Sequence, residues 1–269
     1  MAFVIEVALQ PGVPDVSPAV DFEIEEMMKA GVHLGHAKSK NHPAMQPYVF
    51  GVRNTISLID LLKTKEKLAA ALEFVKNISA GGGMILFVGT RPAAREAVAE
   101  AAKKTKMPYF VERWIGGALT NFKVISKRVE YMERLEKEKT GGEFEKYTKK
   151  ERMKKEEEIT HLSKLFDGLR MMKRLPDAVF IVDITHDDTA IREARRMKIP
   201  MMALCDTNSN ADLVQYPIPS NDDALPAVRY MVQRIGQAIE EGMRIKAQNT
   251  ETQNTNKDID TENTKHRPA

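Results

Sequence analysis

The chain is poor in the residues on which several kinds of protein depend. A single cysteine, Cys205, among 269 residues excludes an internal disulfide and fits a reducing compartment. It sits in the apolar stretch "PMMALCD", which suits a buried structural thiol better than a nucleophile. No apolar run approaches the roughly 20 residues that a membrane-spanning helix requires. The start "MAFVIEVALQPGVPDVSPAV" is apolar, but Glu6 interrupts it, no basic segment precedes it, and Pro11, Pro14 and Pro18 follow. It reads as an arm and linker rather than a secretion signal, so a soluble, cytoplasmic protein with no membrane partner is expected. Charge of neither sign dominates: Lys+Arg number 41 against Asp+Glu 38, leaving a net of +3. Such a balance does not decide for or against a polyanion partner, because binding depends on where the cations cluster.

What is present is alternation. "KTKEKLAAALEFVKNIS" reads as an amphipathic helix stopped by Gly81 to Gly83, "MILFV" as a short buried strand, and "RPAAREAVAEAAKKT" as a helix with Pro92 in its first turn. "PYFV" then follows as a strand, and "DAVFIVDI", "HDDTAIREARRMK" and "PMMALCD" repeat the order strand, helix, strand. Continuous apolar runs separated by helices predict a parallel sheet covered on both faces, an α/β doubly wound fold of the Rossmann-like kind.

The stretch 121–175 breaks the alternation. Phe122, Ile125, Val129 and Met132 follow a three-four-three spacing, and Ile159, Leu162, Phe166 and Leu169 repeat it. Between them lies an almost wholly charged stretch with glycines at 141 and 142. Two helices folding back as a coiled-coil hairpin satisfy this pattern better than one kinked helix, because each arm carries an apolar seam that it could not bury alone. The organisation expected is therefore an N-terminal arm over 1–20, an α/β domain over 21–120 and 176–246, the hairpin over 121–175, and a polar, disordered tail over 247–269.

Candidate chemistry falls in three places. After the first apolar strand, "VGTRPAA" has only Gly89 where a dinucleotide fingerprint needs two or three glycines, and it lacks the Gly-Lys-Ser/Thr of a P-loop. Arg91 is then either a phosphate contact at a helix start or an ordinary loop cation. Asp183, His186, Asp187, Asp188 and Asp206 could gather as a magnesium or acid–base site, although "HDDTAIREA" reads more naturally as a helix start and Asp206 with Asn208 as a turn. "VHLGHAKSKNHPAMQPYVFGVRN" holds His33, His36 and His42, too few ligands with too irregular a spacing for zinc. With Lys38, Lys40, Arg53, Asn54 and Tyr48 it makes a basic, aromatic-bearing loop suited to phosphate, ribose and base contacts. Finally, "VERWIGGALTNFK" places Trp114, the one tryptophan, beside Arg113 and the pair Gly116-Gly117, with Asn121 and Lys123 close behind. Adjacent glycines suit close backbone approach, and Trp114 either stacks on a base or wedges the body against the hairpin.

Taken together, "AGVHLGHAKSKNHPAMQPYVFGVRNTISLIDLLKT", "FVGTRPAAREAV", "RWIGGALTNFKVI" and "LPDAVFIVDITHDDTAIREARRMKIPMMALCDTNSNADLVQYPIPSNDDA" resemble the bacterial-type small-subunit ribosomal protein S2 family, from about Phe22 to Ile239 and in order. The resemblance implies a flavodoxin-like α/β domain with a protruding coiled coil, no enzymatic activity, and a place in the small subunit. It implies contact with small-subunit rRNA and neighbouring ribosomal proteins, including the mRNA-binding ribosomal protein S1, rather than a homo-oligomer. The sequence departs from the family pattern at Asn210-Ala211, where Asp-Pro is usual, at Ser220, where Gly is usual, and at Lys173-Arg174, in place of a glycine pair.

The residues expected at an RNA interface are Lys38, Lys40, Arg53, Arg91, Arg113 and Lys123 for phosphate, with His36, Asn54, Trp114 and Asn121 beside them. No cofactor is expected, a structural Mg2+ being the one candidate ion. The competing readings are an enzyme using Asp183, Asp187 and Asp206 with a divalent ion, and a coiled-coil adaptor that binds only proteins.

Overall fold

Five short apolar strands lie side by side because each can be buried on both faces. The computed structural model describes residues 22–265, and side chains through residue 249. Strands β4 (Ile85–Val88), β5 (Tyr109–Phe110), β6 (Ala178–Ile181), β7 (Met201–Cys205) and β8 (Tyr216–Pro219) form a parallel sheet in the order β5-β4-β6-β7-β8. Alternation along each strand divides the core. Ile85, Phe87, Phe180, Met202 and Leu204 face one apolar layer, whereas Leu86, Val88, Ile181, Ala203 and Cys205 face the other. Helices α1 (Phe22–Lys29), α2 (Leu61–Ala80), α3 (Pro92–Thr105) and α7 (Leu225–Lys265) supply the first layer. The second is supplied by α6 (Asp188–Arg196) with the inner halves of α4 (Phe122–Thr140) and α5 (Lys149–Phe166). The strand order turns back on itself between β4 and β6, and that reversal opens a crevice at their carboxyl ends.

β8 carries two prolines, "YPIP", which a central strand would not tolerate; it is an edge strand, where a missing N–H donor costs nothing in the ladder. The expected polar loop around the three histidines is a correction. Residues 34–59 form a second, antiparallel sheet, β1 (Leu34–Ala37), β3 (Ile56–Ile59) and β2 (Val49–Arg53), interrupted by 3-10 turns at Lys38–Lys40 and Pro43–Tyr48. Strands of four and five residues broken by Pro43 and Pro47 leave no readable period-two signal. This sheet is tied to the ends of β7 and β8 by backbone hydrogen bonds, His42 N–H to Thr207 O at 2.8 Å and Asn221 N–H to Val32 O at 3.1 Å.

The stretch 121–175 holds two helices that pair antiparallel. Tyr131 donates to Glu158 at 3.1 Å, Ser163 donates to Glu136 at 3.2 Å, and Lys155 lies 3.5 Å from Glu138. Ile125, Val129, Met132, Leu162 and Phe166 are buried along the seam. The turn between them uses Gly142 at φ 76°, a conformation open to glycine at little cost. Lys173 and Arg174 sit just beyond α5: Arg174 makes a two-pronged pair with Asp177, whose carboxylate also accepts from Met84 N–H at 2.6 Å. At the other end α7 continues past 246 to Lys265, so part of the stretch expected as a tail is helical backbone; the arm 1–20 lies outside the described residues.

Candidate nucleic-acid interface

The crevice at the strand ends is acidic and internally paired. Arg91, following β4, places Nε 2.7 Å from Asp183 Oδ2, reaches Asp222 at 3.5 Å and also pairs with Asp223. Asp183 accepts the backbone N–H groups of Thr185 and His186 at 2.8 and 2.9 Å, while Asp187 accepts the Thr90 hydroxyl at 2.8 Å. His36, from β1, bridges Asp206 through Nδ1 and Asp223 through Nε2, each at 3.1 Å. The bond to Asp206 holds the imidazole above its ordinary pKa against the opposing effect of burial. Asp222 is pushed up to about 8, first by burial and then by the neighbouring Asp183 and Asp206 charges. Its Oδ1 is buried and accepts no hydrogen bond from the described residues, the Arg91 guanidinium standing 3.5 Å away. Burial likewise pushes the Cys205 thiol up to about 12, leaving it inert as a nucleophile.

These contacts separate the acid trio Asp183, Asp187 and Asp206: each serves a different partner, as capping and turn residues do. The described residues that do gather donor atoms are His36, Asp206 and Asp222, with one atom from each within 4.8 Å of the others. One imidazole nitrogen and two carboxylate oxygens can hold a divalent ion, although the imidazole is a softer ligand than magnesium prefers.

The Trp-Gly-Gly segment is organised by a residue that the sequence did not single out. Glu193, on α6, points its carboxylate into the loop. Oε1 accepts from Trp114 Nε1 at 3.0 Å and Gly117 N–H at 2.8 Å; Oε2 accepts from the N–H groups of Leu119 and Thr120 at 3.1 Å and the Thr120 hydroxyl at 3.0 Å. Burial works to raise its pKa, but these donors outweigh it and hold the carboxyl below the usual range. Gly117 adopts φ 87°, and its amide can meet the carboxylate only in that left-handed turn. Trp114 packs on Phe110 with ring centroids 4.7 Å apart. The tryptophan thus anchors the loop to the body, and Arg113, Asn121 and Lys123 stand exposed around it. Nothing in "AIREARR" marks Glu193, since an acidic residue on a basic amphipathic helix ordinarily faces water.

The ten expected interface residues therefore separate into three groups. Arg91 and His36 belong to the acidic crevice. Lys38, Lys40, Arg53 and Asn54 lie on the antiparallel sheet, with Asn54 at φ 49° in the hairpin turn. Arg113, Trp114, Asn121 and Lys123 lie where the body meets α4. Lys38, Lys40, Arg53, Arg113 and Lys123 are exposed, and none forms an ion pair with another described residue. Asp223, which pairs with both Arg91 and His36, and Asp222 beside it were missed; their one signal was an acidic pair separated by two residues from an apolar strand.

Residues 27–242 match the family model for ribosomal protein S2. The chain is 43% identical over 226 residues to the small ribosomal subunit protein uS2 of Dehalococcoides mccartyi, covering 84% of this chain and 90% of that protein. The uS2 protein of Thermus thermophilus is 44% identical over 215 residues, 80% of this chain and 84% of its own length. That of Dictyoglomus thermophilum is 40% identical over 239 residues, 89% of this chain and 97% of its own.

Proposed function

The chain belongs to the ribosomal protein S2 family, a structural and non-enzymatic component of the small subunit in translation, and we propose that it enters that subunit by binding rRNA through the unpaired cations of its antiparallel sheet and of the body–helix junction. The observation that carries this reading is charge left over. Among the described residues seventeen other lysines and arginines have carboxylate partners, whereas Lys38, Lys40, Arg53, Arg113 and Lys123 have none; Lys127, Arg128, Arg195 and Arg196 are also without one, and the five are set apart by their exposure on the antiparallel sheet and its turns and at the body–helix junction. An exposed cation without an internal partner keeps its full attraction for phosphate. Asn54 and Asn121 offer amides to ribose or phosphate beside these cations. Arg91 and His36 act from behind, fixing β1 and the strand ends, and Trp114 with Glu193 holds the junction in shape.

The same reading extends to the paired helices as a coiled-coil hairpin, to neighbouring ribosomal proteins including S1 as partners, and to a cytoplasmic ribosome as the setting, without a homo-oligomer. No helix among the described residues is long and apolar enough to cross a membrane. Sedimentation of a tagged chain in sucrose gradients tests the proposal. Co-migration with the small subunit, lost after ribonuclease or high salt, is the expected result. Co-migration indifferent to ribonuclease would favour a protein-only adaptor, and a chain that stays at the top throughout would overturn the proposal.

A further inference from the structure

We infer that the cleft between the two 3-10 turns and strand β2 receives a single unstacked rRNA nucleotide, its phosphate on Lys38 and its base against the wall formed by Pro43, Val49 and Val52. This rests on the rRNA-binding reading and gives it a specific contact. The cleft measures about 540 Å³, within the roughly 300–1,000 Å³ usual for small-ligand sites.

Its charge separates it from the rest of the surface. Four other clefts among the described residues each have two carboxylates in their walls, such as Glu100 and Glu240 between α3 and α7. The walls of this one contain Lys38 and no acidic residue. In three of the four the two carboxylates are matched by two cations and in the fourth by one lysine, so their walls are neutral or acidic, whereas a phosphate meets net attraction here.

The polar groups are also placed in advance. His42 Nδ1 accepts the Ala44 N–H at 3.1 Å, which puts the ring proton on Nε2 and makes that atom a fixed donor. The turn carrying it is held by the bond from His42 N–H to Thr207. Asn41 donates to the buried hydroxyl of Ser57 at 2.7 Å, giving the cleft a rigid floor. Gln46 is exposed and its amide has no partner among the described residues, so it presents a donor and an acceptor together, the pattern that a base edge matches. Val52 keeps 47% of its surface exposed and Phe50 keeps 76%, an apolar edge that water solvates poorly and a base face would cover. A base within a helix could not enter a concave site; one turned out of its stack can, and single-stranded bases are what proteins read in RNA.

The test uses the full chain with deproteinised small-subunit rRNA and nucleotide-resolved 2'-hydroxyl acylation. The wild type should protect several sites. Gln46→Ala, a surface change, and Val52→Trp, which fills the cleft, should both re-expose the same one or two adjacent nucleotides. The other protections should remain, and binding should weaken about tenfold, the effect of one lost base-edge contact. Protection patterns identical to wild type with affinities within twofold would overturn the inference while leaving the rRNA reading intact. So would loss of a protein neighbour from assembled subunits with every rRNA protection retained, which would make the cleft a protein-docking site. A wild type that protects nothing would defeat the broader reading instead.

Discussion

Replacing Glu193 by Gln should loosen the Trp-Gly-Gly loop without touching any surface charge. The carboxylate accepts five hydrogen bonds, two on Oε1 and three on Oε2. A glutamine has one acceptor oxygen. In its better orientation it keeps the three bonds from Leu119 and Thr120 and turns its NH2 toward the Trp114 and Gly117 N–H groups, so two bonds are lost and donors face donors. At about 1.5–3 kcal/mol for each bond to a charged group, the loss is about 3–6 kcal/mol. The single tryptophan is itself the reporter: urea unfolding followed by Trp114 emission should show a lowered midpoint, with emission shifted to the red in the folded state. Because the folded carboxyl has a lowered pKa, its contribution is fully present above the unfolded value and disappears as pH falls through the folded one. Wild-type stability should therefore drop on acidification in a step that Glu193→Gln lacks. Equal midpoints and equal emission at neutral pH would refute the clamp.

Three further outcomes follow from the geometry. Asp222 has a folded pKa raised to about 8 against about 4 unfolded, so its ionisation lowers stability as pH rises between those values; Asp222→Asn should flatten that decline and be more stable than wild type at pH 8 in urea titrations. Arg91→Ala should leave the salt dependence of rRNA binding unchanged while lowering stability, because Asp183, Asp222 and Asp223 lose their cation, whereas Lys123→Ala should lower the slope by about one unit with stability unchanged. Gly168→Ala would drive a methyl group into the Tyr109 carbonyl oxygen and ring, and should cost about 1–3 kcal/mol in thermal unfolding.

The parallel sheet was legible because "MILFV", "DAVFIVDI" and "PMMALCD" are uninterrupted apolar runs, and no other element buries both faces so completely. The paired helices were legible from their repeated seams and the double glycine. The antiparallel sheet was not: its strands are short, two prolines stand between β1 and β2, and Ile56 and Val52 remain exposed, so hydrophobicity does not report burial there. β8 was hidden by its own prolines. Among the site residues, the lysines at 38, 40 and 123 are exposed, and no carboxylate of the described residues lies within ion-pair distance of them. Arg91 read as equally free, yet its partners Asp183, Asp222 and Asp223 arrive from strands about 90 to 130 residues away. Glu193 reaches the loop across a similar separation. Local sequence carries exposure and propensity, whereas long-range pairing that neutralises a charge appears only once the sheet is assembled.

The central claim is that the cations left unpaired by the fold bind rRNA phosphate, and its most direct measurement is the salt dependence of binding to deproteinised small-subunit rRNA. Five phosphate contacts, at about 0.7–0.9 released counterions each, contribute about −4 to the slope of log K against log salt, and changing Lys38, Lys40, Arg53, Arg113 and Lys123 all to Ala should remove that contribution. A wild-type slope near zero, or one that the fivefold variant leaves unchanged, would contradict the account.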